Sequence, residues 1–355
     1  MNNQITKLVK SISICAVIAC TLTCGNAVKV YAEVDNTIAS VGTITPAATG
    51  KAKPATITLN DGAVVSIEEY ERATGKEYVV EENTNQTVNP TTTEEVARAS
   101  SLPPVSNAGL ITVDLVIFAG QSNMSGNGGD AKEAPAVPNG HGYEFRNDAN
   151  SMGLYPAVEP FGVTTSGFLA DPAGIKLGSL VSSFMNTYYN RTGIPVMGIS
   201  ASVAGTSVNY WMEAPVQYDL TGRYEAAKNW CAANNVKIRH QYVVWLQGET
   251  DAIAGMSAGE YQDKLKKVFA TVCSKGVEQV FIITIGKFRN LPGVYDTIVT
   301  AQKDLCAKDS HFTLATDLLY NLPEASLVDD VHYNQAALNR VGAEAATTVA
   351  TFSRR

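Results

Sequence analysis

Little in this sequence can do acid–base chemistry at neutral pH. Its 355 residues include 4 histidines, so any mechanism needing an imidazole must use His141, His240, His311 or His332. Positive charge is also short. Lys+Arg 27 against Asp+Glu 34 leaves a net charge of −7, which provides no basic footprint for nucleic acid. Charged residues make up 17% and apolar ones 45%, a balance that excludes disorder through most of the chain. Of 6 cysteines, Cys15, Cys20 and Cys24 crowd near the start. Cys231, Cys273 and Cys306 are odd in number and far apart. That excludes a disulfide framework or a C-x-x-C metal knuckle and leaves buried free thiols.

Other signatures are missing as well. There is no H-E-x-x-H, no EF-hand loop and no G-K-S/T phosphate loop. Gly126-Asn127-Gly128 followed by Ala131 has the spacing of a dinucleotide loop, but Pro135 and Pro138 prevent a helix from opening there. The sequence therefore requires neither a metal nor a cofactor. The apolar stretch at residues 11–22 is shorter than the ~20 residues of a membrane span. Preceded by Lys7 and Lys10, and followed by Val30-Tyr31-Ala32 before Glu33, it reads as a signal peptide over 1–32. The mature protein is then secreted and has no transmembrane span. Val17-Ile18-Ala19-Cys20 also fits a lipoprotein cleavage box, and a lipid anchor at Cys20 on the cell surface is the alternative.

What is present changes texture along the chain. Residues 33–106 are polar and rich in Thr, Ala, Glu, Asn and Pro. Within them, apolar pairs flank Asn60-Asp61-Gly62, a hairpin turn signal. This segment reads as a leader and linker ending at Pro103-Pro104, ahead of a domain over 107–355. That domain alternates strand candidates at 113–119, 195–200, 242–246, 280–285 and 312–315 with helical patterns near 175–190, 222–234, 258–274, 294–308 and 334–351. The alternation predicts an α/β fold with a five-stranded parallel sheet covered on both faces and ligands at the strand carboxyl ends.

Chemistry-bearing residues cluster at those ends. The first strand runs into Gly120-Gln121-Ser122-Asn123-Met124, where a serine on a tight turn is either a nucleophile awaiting a base or an ordinary N-cap. The second ends near Gly205, whose backbone N–H can approach a ligand, and the third at Gln247-Gly248-Glu249-Thr250-Asp251. Among the histidines, only His332 follows a pair of carboxylates, in Asp329-Asp330-Val331-His332. An Asp three residues before a His can reach Nδ1 and leave Nε2 free to take a serine proton.

This series of blocks resembles the SGNH hydrolase superfamily, and within it the sialate O-acetylesterase-like branch that includes acetylxylan esterases of carbohydrate esterase family six. The resemblance covers roughly residues 113–352. It implies a three-layer α/β/α fold and a serine esterase that removes O-acetyl groups from carbohydrate. Ser122 would be the nucleophile, His332 the base and Asp329 its orienter. Ser122, Gly205 and Gln247 would form the oxyanion hole, with Gln121, Asn123 and Glu249 in support. Gln247 stands where the wider superfamily has asparagine, so whether Gln247, Gly248 or Glu249 touches substrate stays open. Glu249 is expected to brace the loop, since a carboxylate would repel an oxyanion. A loop over 125–172 carries Tyr143, Phe145, Tyr155, Phe161 and Phe168, while Tyr210 and Trp211 follow the Gly205 turn. Tyr210 and Trp211 are the candidate substrate contacts. The same residues would serve a peptidoglycan O-acetylesterase or a short-chain lipase, and a non-catalytic carbohydrate-binding module is the second alternative.

Overall fold

The computed structural model describes residues 90–105, 111–148, 151–172 and 174–354, and the backbone of four strands upstream of them. The chain divides into two compact units, Met1–Gln86 and Thr87–Arg355. In the first, β1 (Val28–Val34) pairs antiparallel with β2 (Thr37–Ile44), and β3 (Thr56–Thr58) with β4 (Val64–Ser66). The Asn60-Asp61-Gly62 turn lies outside the described residues, as does the signal-peptide reading except where β1 crosses Val30-Tyr31-Ala32. No described helix is long and apolar enough to cross a membrane.

The second unit opens with α1 (Pro90–Ser101), which lies upstream of the boundary read from composition. Then come β5 (Ile111–Gly120), α2 (Ser122–Ser125), β6 (Gly142–Arg146), β7 (Gly153–Pro156) and α3 (Val181–Thr192). They are followed by β8 (Val196–Ser202), α4 (Val208–Met212), α5 (Ala214–Ala233), β9 (Val236–Leu246) and α6 (Glu249–Ile253). The last elements are α7 (Ala258–Ser274), β10 (Gln279–Ile283), α8 (Asp296–Lys308), β11 (Phe312–Thr316), α9 (Leu318–Asn321) and α10 (Gln335–Phe352).

One sheet of seven strands, in the order β11-β10-β9-β5-β8-β6-β7, carries the unit. The five expected strands are β5, β8, β9, β10 and β11, all parallel. The expected count needs a correction. The stretch read as a long loop contains β6, parallel to β8, and the antiparallel edge strand β7. Both are short, and their glycine and proline residues disguise them. Gly142 lies where a Cβ would meet the Met185 side chain, and Pro156 ends an edge strand, where a missing N–H is tolerated.

Helices cover both faces, with α3 and α10 packed together on one and α5, α7 and α8 on the other. In α7 the buried Tyr261, Leu265, Val268, Phe269 and Val272 follow the helical repeat, and Ser257 Oγ accepts from the Glu260 N–H as N-cap. In α10, Asn334 Oδ1 caps Ala337 N–H at 2.9 Å. The chain enters the sheet at central β5, steps out to β8, then returns to β9 on the other side. That reversal makes the carboxyl end of β5 the topological switch point, where open α/β sheets bind ligands.

Candidate active site

Ser122 follows β5 at the switch point, as the first residue of α2. Gly120 precedes it at φ +152°, and any Cβ there would collide with the Leu246 carbonyl of β9, so the turn demands glycine. The Gln121 side chain stays inside the turn. Its Oε1 accepts from the Gly248 N–H and the Gln247 amide, both at 3.2 Å, and so ties the end of β9 to the Ser122 turn.

The C-terminal loop brings in His332. Asp329 Oδ2 lies 2.6 Å from His332 Nδ1, while Oδ1 accepts the N–H groups of Val331 at 2.8 Å and His332 at 2.7 Å. Partial burial by itself would raise the Asp329 carboxyl, but these hydrogen bonds together hold it below the ordinary value. Asp330 is exposed, and its backbone carbonyl accepts from Arg289 N–H. With Nδ1–H given to Asp329, Nε2 is the acceptor, and the Asn127 amide donates to it at 3.2 Å. Asn127 N–H in turn donates to the Ser122 carbonyl at 3.0 Å, so one residue bonds both the imidazole and the Ser122 turn.

Asn123 clamps the two segments together. Its Nδ2 donates to the Val331 carbonyl at 3.1 Å and its Oδ1 accepts from Tyr333 N–H at 3.2 Å, gripping the backbone on both sides of His332. The same Nδ2 donates to Glu249 Oε1 at 2.8 Å. Burial pushes the Glu249 carboxyl up, and its Oε2 has no hydrogen-bond partner among the described residues.

At the β8 turn, Gly205 has φ +72° with open space around the missing Cβ, so conformation rather than crowding requires glycine. Its N–H has no partner among the described residues.

Two expected contacts need correction. Gln247 is fully buried, and its Nε2 is directed to Gln121 Oε1, to the Thr206 carbonyl at 2.8 Å and to Asp251 Oδ2 at 2.5 Å. With its donors committed, it holds the three strand ends together instead of offering an N–H to an oxyanion. Trp211 is also fully buried, meeting Trp245 edge-to-face with centroids 4.8 Å apart and donating to Thr206 Oγ1. It is core, because the α4 turn that follows Gly205 points it back under the sheet edge. Tyr210 stays on the rim, its hydroxyl donating to the Phe168 carbonyl at 2.5 Å. Of the aromatics in the 125–172 stretch, Tyr143, Phe145, Tyr155 and Phe161 are buried and only Phe168 is exposed.

Some site residues were not read from the sequence. Asp171 bridges two blocks, its Oδ2 accepting from Ser125 Oγ at 2.5 Å and its Oδ1 from Ala204 N–H at 2.7 Å. Buried Lys176 Nζ lies 3.6 Å from that carboxylate and donates to Ser202 Oγ at 2.7 Å; desolvation lowers its pKa. The available signal was scarcity, since these two are the only charged residues between Pro160 and Asn190. Asp251 accepts from the Val208 N–H that opens α4, and burial pushes its carboxyl up to about 7. Among the described residues no group of His, Cys, Asp and Glu could hold a metal ion.

A buried serine turn, an imidazole oriented by a carboxylate and an unpaired N–H at a neighbouring turn can carry out acyl transfer. Compared with known proteins, residues 112–351 match the family model described as carbohydrate esterase, sialic acid-specific acetylesterase. No curated protein matches the chain in sequence. A solved structure from Arabidopsis thaliana is 20% identical over 67% of this chain and 98% of its own, with a TM-score of 0.51. NanS is 13% identical over 70% of this chain and 100% of its own, with a TM-score of 0.46. A carbohydrate acetylesterase from Xanthomonas citri is 15% identical over 67% of this chain and 56% of its own, with a TM-score of 0.45.

Proposed function

The chain belongs to the carbohydrate esterase family of sialic acid-specific acetylesterases, and from that premise we propose that it is an exported enzyme removing O-acetyl groups from carbohydrate with Ser122, His332 and Asp329 as its triad. The observation that carries the reading is the 2.6 Å contact between Asp329 Oδ2 and His332 Nδ1, with Asn127 linking Nε2 to the Ser122 turn.

In this mechanism Ser122 Oγ attacks the acetyl carbonyl carbon while His332 Nε2 takes the hydroxyl proton. Negative charge develops on the carbonyl oxygen, facing the N–H groups of Ser122 and Gly205. The Ser122 N–H is available because the first amides of a helix have no intrahelical acceptor. Collapse expels the sugar alkoxide, which receives the proton from His332, and leaves acetyl-Ser122. Water, deprotonated by the same Nε2, then releases acetate and restores the serine. Asp329 remains ionised throughout and stabilises the imidazolium. Asn123, Glu249 and Gln121 fix the angle between the two loops. Tyr210 and Phe168 stand on the rim where the sugar would approach.

Export rests on the Lys7–Ala32 segment, and amino-terminal sequencing of protein recovered outside the cell tests it. Acetate release from acetylated xylan and O-acetyl sialic acid tests the activity. Ser122→Ala should fold with an unchanged thermal midpoint and lose nearly all turnover. Retention of a tenth of wild-type kcat, a barrier change of about 1.4 kcal/mol, would overturn the nucleophile assignment.

A further inference from the structure

We propose, on the reading of the chain as a carbohydrate acetylesterase, that a cavity beside the His332 loop is a subsite for a second, uncharged sugar ring of an acetylated oligosaccharide. The cavity, of about 210 Å³, opens between the segment after β10 and the turn after α9. It shares the sheet edge that carries Ser122, since β10 and β11 run parallel to β9 and β5.

Its wall is fastened to the catalytic loop. Lys287 N–H donates to Tyr333 Oη at 2.9 Å, Arg289 N–H to the Asp330 carbonyl at 2.8 Å, and the Arg289 guanidinium to the Leu327 carbonyl at 2.5 Å. Two Cα steps of ~3.8 Å plus that Arg289–Asp330 bond put Phe288 within roughly 13 Å of Asp329. That places the cavity wall beside the loop carrying His332, close enough for a neighbouring ring of one oligosaccharide.

The lining suits a pyranose. Phe288 and Tyr295 meet edge-to-face with centroids 6.0 Å apart, and Leu291 is 54% exposed at the mouth. Small cavities with aromatic walls and a few polar groups recognise rings that have apolar faces and polar edges. Tyr295 is 2% exposed, and its hydroxyl has no hydrogen-bond partner among the described residues. Tyr295 therefore backs the wall from behind, and the half-buried Phe288 and exposed Leu291 offer the surface that a sugar ring would meet.

Charge narrows the class. Asp296 and Glu324 line the cavity against a single ammonium, Lys287. That ammonium is engaged within the wall, 3.4 Å from the Leu322 carbonyl and 5.6 Å from the Tyr320 ring centre. Carboxylates accept from sugar hydroxyls and repel a sugar carboxylate. The subsite therefore selects a neutral glycan over a sialic acid.

The test is steady-state acetate release from p-nitrophenyl acetate, acetylated xylose, acetylated xylotriose and O-acetyl sialic acid. The wild type should show at least tenfold higher kcat/KM for the trisaccharide than for the monosaccharide, carried by KM, and should disfavour the sialic acid. Within each variant, Phe288→Ala and Glu324→Ala should lower the trisaccharide-to-monosaccharide ratio threefold or more. Glu324 is exposed, so its variant tests the subsite even if Phe288→Ala fails to fold. Equal KM for the two xylose substrates, an unchanged ratio in Glu324→Ala, or a preference for O-acetyl sialic acid would overturn the subsite while leaving the esterase intact. Absence of turnover on all four substrates would overturn the esterase reading and the subsite with it.

Discussion

The two sides of the His332 loop hold their polar groups differently. Toward β5, β8 and β9, the side chains of Gln121, Asn123, Gln247 and Asp251 are buried and engaged, each linked to the next strand end. Toward β10 and β11, Leu291 and Glu324 are exposed, and Phe288 is only half-buried. Proton transfer and oxyanion stabilisation depend on atoms held within fractions of an ångström, which an enclosed, hydrogen-bonded network provides. Recognition of a sugar ring tolerates more play and needs accessible surface. The same sheet edge thus carries a rigid half and an adaptable half.

The comparison breaks most visibly at the rigid half. Asp329→Asn should reduce kcat on the order of 10⁴-fold, because the imidazole loses its orientation and its counter-charge. Asp330→Asn, one residue away on the exposed face of the turn, should be nearly silent. Reversal of the two in acetate-release kinetics would shift the triad register by one residue.

A smaller loss sharpens the role of the charge in the buried stretch between β7 and α3. Asp171 spans from α2 to the Ala204 turn, so Asp171→Asn should displace the Gly205 N–H relative to Ser122. We expect kcat to fall about 10²-fold with KM little changed, since misplacement of this kind costs the transition state more than the bound ester. Equal effects on kcat and KM would make Asp171 a residue of substrate binding instead.

Stability should respond next. Arg146 is buried and donates to the Ala99 carbonyl of α1 at 2.8 Å, while Val105 N–H donates to the Leu154 carbonyl of β7 at 2.7 Å. A chain beginning at Thr87 should keep its thermal midpoint. One beginning at Ser106 should lose about 1–3 kcal/mol through the lost Ala99 and Val105 bonds, Glu144 still pairing the guanidinium, or roughly 2–4 °C for each kcal/mol. Equal midpoints would place α1 outside the folding unit.

The smallest expected effect is one of pH. Asp251 is pushed up to about 7 by burial, above its ordinary 3.8. The folded state then holds a proton that the unfolded state has already released between these values. The stabilisation is complete below about pH 4 and declines as pH rises toward 7. Asp251→Asn carries no proton to lose, so its midpoint should vary less over that window than the wild type's. An identical slope in calorimetric scans would mean that Asp251 is ionised in the fold.

Much of this was legible before any coordinates. The five parallel strands were readable because each is a short apolar run separated from the next by a helical repeat, as in residues 258–274. Ser122, Asp329 and His332 stood out through local spacing and the scarcity of histidine. The strands β6 and β7 were hidden by Gly142, Gly153 and Pro156, and α1 by a polar composition that resembles a linker. Trp211 was misread because adjacency to the Gly205 turn says nothing about which way α4 faces.

Periodicity, turn residues and motif spacing are properties of neighbouring residues, so the sequence by itself determined the α/β class, the strand ends and the Asp329–His332 pair. Most partners of Asn123, Gln247, Asp171 and Asp251 lie 33 to 210 residues away, the nearer ones being Asp251 and Tyr261 for Gln247 and Lys176 for Asp171. Only the tertiary structure decided them, because a buried donor bonds whatever acceptor the packing of the sheet edge brings within 3 Å.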